Sequence, residues 1–230
     1  MSKEPAQVKV QVGEYGSTTA LLYEAPKKAR TGITLILGHG AGANQLSAFM
    51  LAFAQGLSSR GLDIVTFNFL YSEAKRGAPD PKAKLEACYS AVIAAARKHR
   101  KLTGNRVAIG GKSMGGRIAS QVAATGEEDL FALVFLGYPL HPPGRPDKLR
   151  DAHLPEVKVP MFFIQGERDT FGTPNELRAV FKRLKIAAQL LEIPTGDHSF
   201  KVLKSVGRSQ DDLHEMVMNE ITKWLNSISI

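Results

Sequence analysis

The sharpest chemical signal in this chain is the run Gly111-Lys112-Ser113-Met114-Gly115-Gly116. Its first five residues fit G-x-S-x-G, the spacing of a nucleophile elbow, in which a strand turns at once into a helix. Such a turn strains the serine backbone and crowds the positions two before and two after it, so both must be small. A serine hydroxyl is a poor nucleophile at neutral pH. It needs an imidazole to take its proton and a carboxylate to hold that imidazole in one tautomer. The chain order that accompanies this elbow is serine, acid, histidine. Among six histidines, His198 lies in the late loop 194–200 where the base belongs. His99 ends one helical segment and His214 lies in another, and both read as surface residues, while His153 falls in a proline-rich loop. For the acid, the stretch Ile164-Gln165-Gly166-Glu167-Arg168-Asp169 points to Asp169. Glu167 reads as a salt-bridged surface group, and Asp197 is adjacent to His198 in sequence, a poor geometry for meeting its ring.

Acyl attack creates an oxyanion that needs backbone N–H donors, one from the residue after the nucleophile and one from the first loop of the sheet. Met114 is the first donor. The loop Gly38-His39-Gly40-Ala41-Gly42 supplies the second from Ala41, or else from Gly40. Two rival readings fail on single residues. A phosphate-binding P-loop ending Gly111-Lys112-Ser113 would need glycine at 106, where Arg106 stands inside a strand. A dinucleotide fingerprint over Gly38, Gly40 and Ala43 would need an acid at the end of the next strand, which instead reads Phe67-Asn68-Phe69.

These residues must be held by alternating elements. Residues 8–12 and 18–23, separated by Gly13 and Gly16, read as an antiparallel hairpin. Short apolar runs at 33–37, 64–69, 106–110, 130–136, 159–165 and 188–193 alternate with helical patterns at 45–60, 82–99, 117–124, 176–184 and 211–225. Strands alternating with helices imply right-handed crossovers, hence a mostly parallel sheet of about seven strands with helices on both faces. Ligands bind beyond the carboxyl ends of such strands. That rule selects the loops 38–44, 111–116, 137–156, 166–174 and 194–200.

Composition sets the outer limits. A length of 230 residues, 43% of them hydrophobic and 23% charged, suits one domain over residues 1–230. The net charge of +8 is dispersed, with no basic run or basic-aromatic interleaving, so nucleic-acid binding is not expected. No apolar stretch approaches a membrane span and no signal-peptide pattern opens the chain, so a cytoplasmic location is expected. The single cysteine, Cys88, reads as a buried structural residue. No metal-site spacing occurs, and neither a metal nor an organic cofactor is expected.

Three segments, 38–42, 111–116 and Gly137-Tyr138-Pro139-Leu140-His141-Pro142-Pro143-Gly144, together resemble one branch of the α/β-hydrolase superfamily. It is the dienelactone-hydrolase-like branch related to testis-expressed protein 30 and to a subunit of the NSL histone acetyltransferase complex. The resemblance implies an α/β-hydrolase fold and a triad of Ser113, Asp169 and His198. Dienelactone hydrolases proper carry a cysteine nucleophile, whereas position 113 is serine, so a dienelactone substrate is not expected. Too little chain separates the strands at 130–136 and 159–165 for a large cap. The segment from Tyr138 is therefore expected to wall the pocket, with His39, Tyr138, Leu140 and His141 as pocket residues and His141 either touching substrate or anchoring its loop. The expected activity is a carboxylesterase- or thioesterase-like serine hydrolase acting on a small ester or thioester. The alternative is a non-catalytic scaffold of the same fold.

Overall fold

The apolar runs of the sequence become strands, and glycine-containing turns bound most of them. In the computed structural model, residues 4–228 are described; the remainder of the expected 1–230 domain lies outside the described residues. The hairpin is β1 (Ala6–Gln11) and β2 (Ser17–Tyr23), followed by β3 (Ile33–Gly38), α1 (Ala48–Ser59) and β4 (Asp63–Phe67). A four-residue helix α2 (Leu70–Glu73), not expected from periodicity, precedes α3 (Lys82–Lys98). Then come β5 (Arg106–Lys112), α4 (Met114–Thr125), β6 (Ala132–Leu136), β7 (Met161–Gly166), α5 (Pro174–Phe181), β8 (Ala188–Ile193) and α6 (Gln210–Ser227).

All eight strands join one sheet in the order β1-β2-β4-β3-β5-β6-β7-β8. The pairs β1–β2 and β2–β4 are antiparallel; every other pair is parallel. Strand alternation divides the core into two layers. Along β3, Ile36 packs into the layer beneath α3 and α4, while Ile33, Leu35 and Leu37 pack into the layer beneath α1 and α6. In β6, Leu133 and Phe135 face the first layer, and Ala132, Val134 and Leu136 face the second. A strand buried on both faces is apolar at nearly every position, Thr34 of β3 being an exception, which is why these runs do not alternate in polarity.

Because β3, β5, β6, β7 and β8 run parallel, the loops leaving Gly38, Lys112, Leu136, Gly166 and Ile193 all emerge at one edge of the sheet. Between β6 and β7 the described chain holds only a short 3-10 turn, Leu154–Glu156, and no cap domain covers that edge.

Candidate active site

Ser113 stands between β5 and α4 with φ 51° and ψ −115°, a left-handed backbone that a serine adopts only under constraint. The constraint is close packing. A Cβ on Gly111 would lie 2.2 Å from the Gly38 carbonyl oxygen, and one on Gly115 would lie 2.1 Å from the same atom. The elbow therefore presses directly on the end of β3. Helix α4 starts at Met114, immediately behind the serine, rather than at 117 as its apolar periodicity suggested.

The serine Oγ lies 2.9 Å from His198 Nε2, and His198 Nδ1 lies 2.7 Å from Asp169 Oδ2. Asp169 is 1% exposed. Its Oδ1 accepts from the Phe171 amide at 2.8 Å and its Oδ2 accepts from Gln165 Nε2 at 2.9 Å. Gln165 is fixed in turn by the Tyr138 amide and the Gly172 carbonyl, so the carboxylate is gripped from β7 and from its own loop. The Phe171 ring lies against the imidazole at 4.3 Å between centroids. The other carboxylates near this histidine serve the loops. Asp197 Oδ1 accepts from the amides of Ser199 and Lys201, and Glu167 Oε2 accepts from the Thr195 amide.

Lys112, the residue before the serine, supports the histidine from the other side. Its Nζ donates to the His198 carbonyl and sits over the rings of Phe49 and Phe200, at 5.8 and 5.5 Å from their centroids. Burial pushes its amine down to about 8, against the nearby charges of Asp169 and Asp197, which hold it up.

The first loop is shaped by His39. This side chain is fully buried; its Nε2 accepts from the Phe69 amide at 3.1 Å, which leaves Nδ1 as the donor to the Gly40 carbonyl at 2.8 Å. Burial lowers its pKa, favouring this neutral tautomer. In a trans peptide, fixing the Gly40 carbonyl aims the Ala41 N–H the opposite way. Among the described residues, neither the Ala41 nor the Met114 amide donates a hydrogen bond within the protein, and Gly40, Ala41 and Met114 all line the cleft.

That cleft, about 990 Å³ and open to solvent, contains Ser113 and His198. Its lining departs from the expected pocket at four positions, His141 taking the anchoring role that was the other reading of it. His39, Tyr138, Leu140 and His141 do not line it. His39 is committed to its own loop, and Tyr138 and Leu140 are fully buried in the core. The Tyr138 hydroxyl donates to the Arg150 carbonyl at 2.8 Å. His141 ties its loop to α5, with Nε2 3.1 Å from Glu176 Oε1 and Nδ1 2.9 Å from the Pro142 carbonyl. Burial, not loop position, decides where these side chains point. From the same segment, Pro139 and Arg150 reach the cleft instead. His214, expected at the surface, lines the cleft with its ring edge-on to Phe49 and Phe53. His153 is hydrogen-bonded to Ser120 Oγ at 2.7 Å, and burial lowers its pKa to about 4.

Sequence reasoning missed Gln165, Phe171, Lys112, Arg117 and Arg150. Only Arg117 had a signal, its place one helical turn after the serine.

Solved structures share this architecture. A serine hydrolase without a lid from Xanthomonas campestris matches at 21% identity and a TM-score of 0.76, covering 100% of this chain and 99% of that one. A dienelactone hydrolase from Anabaena variabilis matches at 23% identity and a TM-score of 0.74, covering 96% and 97%. Est1E from Butyrivibrio proteoclasticus matches at 16% and 0.71, covering 96% and 99%. Residues 31–226 match the family described as alpha/beta hydrolase domain. With that match spanning nearly all of a chain whose sheet order and elbow are those described above, this protein belongs to the alpha/beta hydrolase domain family.

Proposed function

We propose that this chain is one hydrolase domain over residues 1–230 that cleaves a small carboxylic ester or thioester through an acyl-enzyme on Ser113. The observation that carries the reading is the continuous relay from Ser113 Oγ through His198 to Asp169, at 2.9 and 2.7 Å, opening into a cleft. His198 Nε2 takes the hydroxyl proton as Oγ attacks the carbonyl carbon, and Asp169 holds the imidazole and stabilises its charged form. The Met114 and Ala41 amides donate to the oxyanion of the tetrahedral intermediate. His198 returns the proton to the leaving alkoxide or thiolate. Water then attacks the acyl-serine with the same histidine as base, releasing the acid and restoring the hydroxyl.

Membership in the alpha/beta hydrolase domain family supports hydrolysis, and neighbours named as a serine hydrolase and an esterase domain favour serine chemistry. The absence of a cap favours small or extended substrates. The narrower relationship to the branch of testis-expressed protein 30 rests on the three sequence motifs alone. Among the described residues no helix is long and apolar enough to cross a membrane; we place the protein in the cytoplasm on its sequence features.

Incubation with a fluorophosphonate probe, followed by mass spectrometry of the labelled peptide, tests the reading. Labelling at Ser113 that is lost in Ser113→Ala is the expected result. Folded wild-type protein that takes up no probe returns the chain to the scaffold alternative.

A further inference from the structure

Two arginines in the cleft wall have no visible work. Arg117 lies on α4 one turn after the nucleophile, its amide donating to the Ser113 carbonyl at 3.1 Å. Arg150 reaches the same cleft from the loop after β6. Among the described residues, neither guanidinium donates a hydrogen bond or forms an ion pair, and the Arg117 Nε is buried without an acceptor. The acidic groups around them meet other cations. Asp151 pairs with Arg183, and Asp80 pairs through Oδ1 with Arg76 at 2.6 Å and Lys84 at 3.5 Å, its Oδ2 being buried without a partner. The cleft's other acid, Asp211, lies on α6 near His214.

The structure holds the backbones of both arginines in place. One turn of helix ties Arg117 to the serine, at about 6 Å of axial rise. The Arg150 backbone is clamped on both sides, its carbonyl accepting from the Tyr138 hydroxyl at 2.8 Å and its amide donating to the Leu140 carbonyl at 2.7 Å. The run Tyr138-Pro139-Leu140-His141 thus acts on the cleft at one remove, by placing Arg150. Partial burial lowers the Arg150 pKa, and the charge of Arg117 lowers it further, so the two cations are near enough to repel one another. A buried donor such as the Arg117 Nε–H is normally matched, and a planar fork of N–H groups fits the two oxygens of an oxyanion.

We propose that Arg117 and Arg150 form an anion subsite that holds a carboxylate or phosphate carried on one arm of the ester or thioester substrate. The inference rests on the hydrolase reading above and narrows its substrate class. The anion satisfies the free guanidinium donors and removes the repulsion between the two cations. It also fixes the carbonyl carbon at a set distance from Ser113.

The test uses two substrate pairs that differ only in the anion. The first pair is the 4-nitrophenyl monoester of glutarate against 4-nitrophenyl valerate. The second is butyryl-phosphopantetheine against butyryl-pantetheine. Wild-type protein should favour the anionic member of one pair by about ten- to a hundredfold in kcat/KM, mostly through KM. That ratio should fall toward one in Arg117→Gln and in Arg150→Gln, and to an intermediate value in Arg150→Lys. The pair that responds identifies carboxylate or phosphate as the ligand. Turnover of the neutral members with no preference for charge, or a preference that survives both glutamine variants, overturns the subsite while leaving the hydrolase intact. If Ser113 takes up no fluorophosphonate and no ester is cleaved, the hydrolase reading fails by itself. Calorimetric titration of the wild-type protein with glutarate and with phosphopantetheine then decides the subsite separately. Binding that is lost in the glutamine variants supports it, and no binding overturns it.

Discussion

Replacing Gly115 by alanine tests whether the elbow and the first loop act as one unit. The added Cβ would stand 2.1 Å from the Gly38 oxygen, where ordinary contact begins at 3.4 Å, so one backbone must retreat by about 1.3 Å. It would also meet the Gly38 carbonyl carbon at 2.3 Å and the His39 oxygen at 2.8 Å, leaving no flexible side chain to absorb the clash. Overpacking of this kind costs about 1–3 kcal/mol. The retreat also separates Ala41 from Met114, the two proposed oxyanion donors. Misplacement by about 1 Å can cost about a hundredfold in rate, and loss of one such donor costs about 10²–10³. Gly115→Ala should therefore lose about 1–3 kcal/mol in urea denaturation and at least about a hundredfold in kcat on a 4-nitrophenyl ester, with Ser113 still labelled slowly by fluorophosphonate. Wild-type stability together with wild-type kcat would show that the elbow and the first loop are uncoupled, because the contact would then exert no force on the loop.

Further outcomes follow from the same geometry. Asp169→Asn should keep the fold and lower kcat by about 10³–10⁴, since an amide cannot accept from both Gln165 and Phe171 while also orienting the imidazole; less than tenfold loss at pH 7 would remove Asp169 from its proposed role. Lys112 has its amine lowered from 10.5 to about 8 by burial, so the unfolded chain binds more protons between those values and wild-type stability rises with pH through that window. At about 1.36 kcal/mol per tenfold in proton affinity, wild type should gain roughly 3 kcal/mol over Lys112→Met between pH 7 and pH 10.5. Parallel denaturation curves for the two proteins across that range would show that the ammonium is not penalised. Tyr138→Phe removes the donor to the Arg150 carbonyl and should cost about 0.5–1.5 kcal/mol in thermal or urea unfolding; an unchanged midpoint would mean the clamp carries no load.

The central strands were legible because a doubly covered parallel strand is apolar at nearly every position, as at Ala132–Leu136, and the β1–β2 hairpin because glycines part its two runs. The start of α4 was not, for a physical reason. Gly115 and Gly116 are weak helix formers and read as turn, yet tertiary packing puts both inside the helix, where only they leave room for Gly38 and for the Gly111 carbonyl. Helix α2, at four residues, is too short to show a period at all.

The site divides along the same line between what loop position decides and what burial decides. Ser113, Asp169 and His198 meet because each leaves the carboxyl edge of a parallel sheet, and chain order places such loops side by side. The direction of a side chain within a loop obeys a different rule. Tyr138 and His141 sit in a loop at that edge but turn inward, because the core accepts their rings and nearby acceptors satisfy their polar atoms. Arg117 and Arg150, which composition would send to solvent, turn toward the cleft. A core residue is thus readable from its apolar type, and a positioned cation is not, since its place depends on which anions the fold has already spent. Here Asp151 is taken up by Arg183 and Asp80 meets Arg76 and Lys84 through Oδ1, and the positive charge left in the cleft wall follows from that pairing rather than from any local pattern in the sequence.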